Sequence, residues 1–276
     1  MLQLRRFSFL FLLIYSFSSS AQNVKLNKLW ETDPSLKVPE SVVYYAAEKI
    51  LFVSNIDGKP NEKDLKGSIN KVSLDGKQIN NWATNLSAPK GMGIYLDKIY
   101  VADIDEVVAI TLKNGKIAQR FPVEGAVFLN DLTIDNEGII YVSDSETGKI
   151  HQIDKGKVST YLENQNGVNG LLYSEQNLFF LANGILWKAD SNKSLTKIAE
   201  GMDESTDGIE MTKNKEFIIS CWNGVVYNVK SDGSKTELLD TREQKINAAD
   251  IGFDQENGIL YIPTFFSNKV YAYKLD

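Results

Sequence analysis

Cysteine and histidine are almost absent from this 276-residue chain, where Cys221 and His151 are single copies. A lone cysteine excludes an intramolecular disulfide, so cohesion has to come from packing, and Cys221 itself reads as a buried, inert strand residue. A lone histidine excludes metal sites built on several imidazoles, such as the HExxH helix. A Ser-His-Asp or Cys-His triad would have to use His151. That residue lies in Gly148-Lys-Ile-His-Gln-Ile and reads as a surface position on an outer strand. Long apolar runs are missing too, apart from Phe7 to Phe17, which follows Arg5 and Arg6 and leads into Ser19-Ser20-Ala21. This is the pattern of an export leader. We therefore expect residues 1–21 to be removed near Ala21, residues 22–276 to form one domain, and the product to be periplasmic or secreted. No later stretch approaches the ~20 apolar residues of a bilayer crossing, so no membrane span is expected. Positive charge is also scarce, with 30 Lys and Arg against 36 Asp and Glu. No basic stripe is available to follow phosphates, which argues against nucleic acid as a partner.

What the chain does have is a beat. A short polar or charged residue precedes an apolar strand at Glu40-Ser-Val-Val, Lys90-Gly-Met-Gly-Ile, Asn130-Asp-Leu-Thr-Ile, Asn169-Gly-Leu-Leu-Tyr and Asp207-Gly-Ile-Glu-Met. A sixth copy, Ala249-Asp-Ile-Gly-Phe, has alanine in that place. The steps between copies are 50, 40, 39, 38 and 42 residues, and a period near forty with several short strands per unit is the mark of a β-propeller. Second strands are visible at Ile50-Leu-Phe-Val, Ile99-Tyr-Val-Ala, Ile140-Tyr-Val-Ser, Leu178-Phe-Phe-Leu, Phe217-Ile-Ile-Ser and Leu260-Tyr-Ile-Pro. Asp-Gly and Asn-Gly pairs supply hairpin turns between the outer strands. The sixth unit runs out at Asp276 with no fourth strand of its own. We therefore predict an all-β, six-bladed propeller closed by Val24–Trp30 pairing into the last blade, which hides both sheet edges. The polar insertion 57–66 in blade 1 is placed where it can overhang one face or lie idle on the surface.

The repeat nominates an axial ring of Glu40, Lys90, Asn130, Asn169, Asp207 and Ala249. Carboxylate and amide oxygens from Glu40, Asn169 and Asp207 suit a hard divalent cation, and equally they suit a solvated channel lining. Lys90 can contact an anionic group of a ligand, or neutralise Glu40 and Asp207 and exclude the ion. Asp103 and Asp144 end second strands and read as caps for loop backbone. Trp222 either walls the channel mouth or packs in the ordinary way. Lys90-Gly-Met-Gly lacks the remaining glycine pattern and the helix of a phosphate loop.

On Pro39-Glu40, Asn130-Asp131, Asn169-Gly170-Leu171 and Asp207-Gly208, taken in blade order, the chain resembles the senescence marker protein, gluconolactonase and luciferin-regenerating enzyme family of six-bladed propellers. The resemblance implies one divalent ion in the channel, Ca²⁺ first with Mg²⁺, Mn²⁺ or Zn²⁺ as alternatives, held by Glu40, Asn169 and Asp207. It implies Asn130 beside the substrate and Asp207 as the catalytic group of a hydrolase acting on a lactone or small ester; Lys90 is a candidate substrate contact by its axial position alone. Two departures stand out. Glu40 is followed by Ser41-Val42 where the family has Gly-Pro, and Phe128 stands where the family often carries a substrate-holding Arg. Sugar-acid lactone specificity therefore does not transfer. A non-catalytic propeller that binds a small ligand or a protein partner is the alternative.

Overall fold

A computed structural model describes residues 24–276; the leader expected over 1–21 lies outside the described residues. Six four-stranded sheets succeed one another along the chain. Blades 1 to 5 occupy 39–86, 89–122, 129–162, 168–199 and 206–240. Blade 6 takes its three inner strands from 252–275, and its outermost strand is Leu26–Glu31, which pairs antiparallel with Val270–Leu275. The first and last segments of the described chain are thus hydrogen-bonded in one sheet, and the ring has no free seam. The sole helical element among the described residues is a short 3₁₀ turn, Phe265–Ser267.

The second strand of each blade is apolar through its middle because both of its faces are covered. In blade 1, Leu51 and Val53 pack toward blade 6 with Tyr261 and Val270, while Phe52 points the other way onto Met92 and Val101 of blade 2. That split follows from the two-residue period of a strand. The same arrangement recurs around the ring, so the core consists of six layers, each wedged between two neighbouring blades. Truncating a fully buried member such as Leu51 to alanine should cost about 2–5 kcal/mol.

Polar side chains at the ends of second strands fix the backbone that leads into each inner strand. Asp103 accepts from the Ser87 and Ala88 amides, Asp144 from those of Val127 and Phe128, and Asn55 from that of Lys37. The capping role read for Asp103 and Asp144 is therefore what their carboxylates perform. His151 is different. It sits on the third strand of blade 3 but is 4% exposed, its Nε2 4.0 Å from Asp144, so it is a buried inter-strand residue and not a surface one. Burial keeps its pKa below the ordinary histidine value. Cys221 is fully buried, and burial pushes its thiol up to about 12.

Candidate functional site

The inner strands do more than line a hole. In blades 1 to 5 each carries the same irregularity near its start. Pro39 pairs with Asn55 and Val42 with Val53, so three steps on the inner strand face two on its neighbour. Blades 2, 3, 4 and 5 repeat this at Pro89/Met92, Leu129/Leu132, Val168/Leu171 and Thr206/Ile209. One extra residue bends the strand and re-aims a side chain. The axial residues Glu40, Lys90, Asn130, Asn169 and Asp207 all lie inside these bulges. They line one cavity of about 450 Å³ at the end of the channel where the inner strands begin, here the upper end.

Glu40, Lys90 and Asp207 are buried, with Lys90 only 1% exposed. The Asn169 amide donates to Asp207 Oδ1 at 3.0 Å. Asn130 donates to Ser145 Oγ at 3.2 Å. Glu40 Oε2 and Asn169 Oδ1 are buried acceptors without a hydrogen-bond partner. Desolvation, reinforced by the charges of Asp207 and Asp250, holds the Glu40 carboxyl well above the usual carboxylate range; burial and Asp250 do the same for Asp207. Lys90 forms no ion pair with either carboxylate. Its ammonium donates to Ala88 O at 3.0 Å and lies 4.4 Å from the centroid of the Phe128 ring. Burial lowers its pKa to about 8, against the opposing pull of Glu40 and Asp103.

A second ring lies one residue further along the inner strands, formed by Ser41, Gly91, Asp131, Gly170, Gly208 and Asp250. Asp131 accepts from the amides of Leu132 and Leu171, each at 2.6 Å, and Asp250 accepts from the Ser41 hydroxyl. Glycine is required next to both. A Cβ on Gly91 would lie 2.5 Å from Asp131 Cα, and one on Gly208 2.6 Å from Asp250 Oδ1. Beyond this ring a smaller cavity of about 200 Å³ contains Thr133 and Glu210, with Asp131 and Asp250 at its boundary. Burial and the Asp250 charge raise the Glu210 pKa to about 8.

The donor set of the upper cavity fits a divalent ion. Neither buried carboxylate has a direct ion-pair partner, and two oxygens without hydrogen-bond partners belong to the same cavity, an all-oxygen combination favoured by hard cations. No three His, Cys, Asp or Glu side chains converge among the described residues. An ion here would therefore rest on Glu40 and Asp207 with the Asn169 amide oxygen as the third donor.

Sequence reasoning placed all five polar axial residues in one cavity. It missed the apolar wall opposite in character: Ile56, Phe265 and Phe266 also line this space, together with Phe128 and Trp222, and Gly58 and Pro60 of the blade 1 insertion reach it. The Phe265-Phe266 pair in an otherwise polar loop was the available signal.

Neither a protein-family model nor a curated protein sequence matches the chain. Solved structures do. A gluconolactonase from Xanthomonas campestris superposes with a TM-score of 0.69 at 15% identity, covering 87% of each chain. A streptogramin B lyase gives 0.66 at 13% identity, over 92% of this chain and 97% of that one. A chain of the nidogen/laminin complex gives 0.64 at 15% identity, over 78% and 84%. The gluconolactonase and the lyase are six-bladed propellers, and what this chain shares with them at such identities is that fold.

Proposed function

We propose that this chain is a divalent-ion-dependent hydrolase of a lactone or related small ester, working in the upper cavity. The observation that carries the reading is the pair of buried acceptors without partners, Glu40 Oε2 and Asn169 Oδ1, beside the Asp207 carboxylate. Similarity in fold to a gluconolactonase and to a lyase is compatible with hydrolytic or lyase chemistry on this scaffold, although fold alone does not choose the reaction. The leader-like residues 1–21 support an exported enzyme.

Glu40, Asn169 and Asp207 would hold the ion, Ca²⁺ first. When bound, it supplies Lewis-acid polarisation of the substrate carbonyl. Asp207 is oriented by the Asn169 amide and takes the proton from the attacking water; the same proton then goes to the departing alkoxide, so the ring opens to a hydroxy acid. Asn130 has its amide nitrogen engaged by Ser145 and positions the substrate through its remaining polar atom. The Lys90 ammonium still has N–H groups beyond the one given to Ala88 and offers a cationic donor for oxygen that gains charge in the transition state.

A second reading, ligand binding without catalysis, is favoured by Lys90, whose charge opposes an ion at Glu40. One experiment separates the two: elemental analysis of wild-type protein and Asp207→Ala, coupled to hydrolysis of a lactone panel with and without added divalent ions. The hydrolase reading expects one ion per chain and ion-dependent turnover, both lost in Asp207→Ala. Hydrolysis that survives in an ion-free variant would end the mechanism, and wild-type protein with neither ion nor ion-dependent turnover would favour the binding propeller.

A further inference from the structure

The upper cavity is chemically lopsided. Its wall hydroxyls are already engaged within the protein. Ser145 Oγ donates to Val168 O at 2.6 Å and accepts from Asn130; Ser205 Oγ donates to Asp203 at 2.8 Å and accepts from the Asn223 amide; Thr206 Oγ1 accepts from the Gly184 amide. Among the residues that line the cavity, the partnerless buried polar atoms are Glu40 Oε2 and Asn169 Oδ1, in the proposed ion site. A polyhydroxylated ligand would bring many hydroxyls into a space with few open partners, and each unmatched one costs its lost hydration.

Aromatic surface, by contrast, is on offer. Trp222, Phe265 and Phe266 meet edge to face, with ring centroids 5.5, 5.9 and 4.8 Å apart. Trp222 is 37% and Phe266 66% exposed, and they are the two exposed aromatic side chains among the described residues. Both border the cavity.

This wall is built into the fold. Phe265 has φ +46°, a left-handed conformation that bulky residues seldom adopt and that tends to mark sites where the surroundings impose it. The turn is closed by the Asn268 amide donating to Phe265 O, while Asn268 Oδ1 accepts from the Val38 amide at 3.0 Å, two residues before Glu40. The Phe265 ring packs in a small cluster with Ile56, Ala88, Ile104 and Ala249. Ala249 is the axial residue of blade 6, and its short side chain leaves that sector of the channel to the phenyl ring.

Resting on the reading of the upper cavity as the ligand site, we propose that its substrate is an aryl or similarly flat apolar lactone or ester and not a sugar lactone, with Trp222 and Phe266 as specificity-determining residues that contact the ring. The cavity volume accommodates a compact bicyclic ligand. The apolar ring stacks on exposed aromatic surface, and its carbonyl end reaches Glu40, Asn130, Asn169 and Asp207.

The test uses two pairs of probes. Chroman and anhydroglucitol lack a lactone carbonyl and report binding alone, by calorimetry or ligand-observed NMR; dihydrocoumarin and gluconolactone report hydrolysis. Chroman should bind the wild-type protein, anhydroglucitol should not at the same concentration, and both Phe266→Ala and Trp222→Leu should weaken chroman about tenfold. Phe266 is exposed enough for its variant to fold. Equal binding of the two ethers, or chroman affinity unchanged in both variants, overturns the proposal. So does the absence of binding by either probe, which would leave the exposed aromatics to a macromolecular partner. Chroman binding that depends on Phe266, without dihydrocoumarin hydrolysis, supports recognition of a flat apolar ring by this wall and counts against the hydrolase reading. Ion-dependent hydrolysis of gluconolactone with no preference for aryl probes does the reverse.

Discussion

Lys90 Nζ lies 4.4 Å from the centroid of the Phe128 ring. The lysine that breaks the polar axial pattern is thus held by the residue that stands where the resembling family often carries an arginine, and Asp144 in turn fixes the Phe128 backbone. A buried cation over an aromatic face is stabilised by roughly 1–2 kcal/mol. A double-mutant cycle of Lys90→Met and Phe128→Leu, read by chemical denaturation, should return a coupling energy of about that size. A coupling near zero would mean that the ring merely borders the ammonium.

Because the Lys90 ammonium and the Glu40 carboxylate sense each other's charge, the lysine should also weaken ion binding without blocking it. Lys90→Met is expected to raise divalent-ion affinity by about tenfold at pH 7, a modest value on the Coulomb scale for a buried pair of charges. The sign with pH is specific. Raising pH from 7 to 9 takes Lys90 through its pKa of about 8 and removes its charge. Ion affinity should therefore climb more steeply in the wild type than in Lys90→Met. Calorimetric titrations with Ca²⁺ at both pH values check this, and parallel slopes would count against it.

Much of the ring was readable because a propeller repeats its physics. Each blade needs an apolar second strand, and Ile50-Leu-Phe-Val and its five counterparts announce themselves. The polar residue at the start of each inner strand was visible for the same reason. Which way it points was not. Glu40 enters the upper cavity, whereas Asp131, the direct neighbour of Asn130, packs against Gly91 of blade 2 and accepts from the Leu171 amide of blade 4. That division depends on the bulge, and the bulge is a pairing register between strands that no single strand encodes. The preference of Lys90 for Phe128 and Ala88 over Glu40 and Asp207 was likewise a matter of tertiary competition. The placement of Phe265 was not legible because it comes from an unusual φ and from a turn that Asn268 ties to the Val38 amide, more than two hundred residues away in sequence.

The second ring yields a packing prediction. Gly91→Ala would force a Cβ to 2.5 Å from Asp131 Cα, a backbone atom that cannot rotate away. Separating blades 2 and 3 to relieve it should cost about 3 kcal/mol or more. At this chain length that is a fall in Tm of roughly 6–12 °C. Gly201→Ser is the useful contrast, since its nearest neighbour is the flexible Lys235 ammonium at 3.5 Å, although its φ of +73° still imposes a strain. Thermal unfolding of the two variants should show the larger loss at Gly91; equal losses would mean that the blades part easily.

Glu210 gives the pH dependence of stability its clearest handle. Its pKa is about 8 in the folded chain against an ordinary value of 4.5, the result of burial and of the Asp250 charge, with amide donation from Phe253 and Met211 working the other way. A carboxyl whose folded pKa is raised favours folding while it keeps its proton. Its contribution is fully present below pH 4.5 and is lost as pH rises through 8. Glu210→Gln keeps an acceptor for the two amides and has no proton to lose. The variant should match the wild type near pH 4.5 and exceed it increasingly up to pH 9, by on the order of 5 kcal/mol at most. Denaturant unfolding at pH 5, 7 and 9 measures the gap. A gap that stays constant with pH would show that the lower cavity accepts the charged form, through water or a cation held between Glu210 and Asp250.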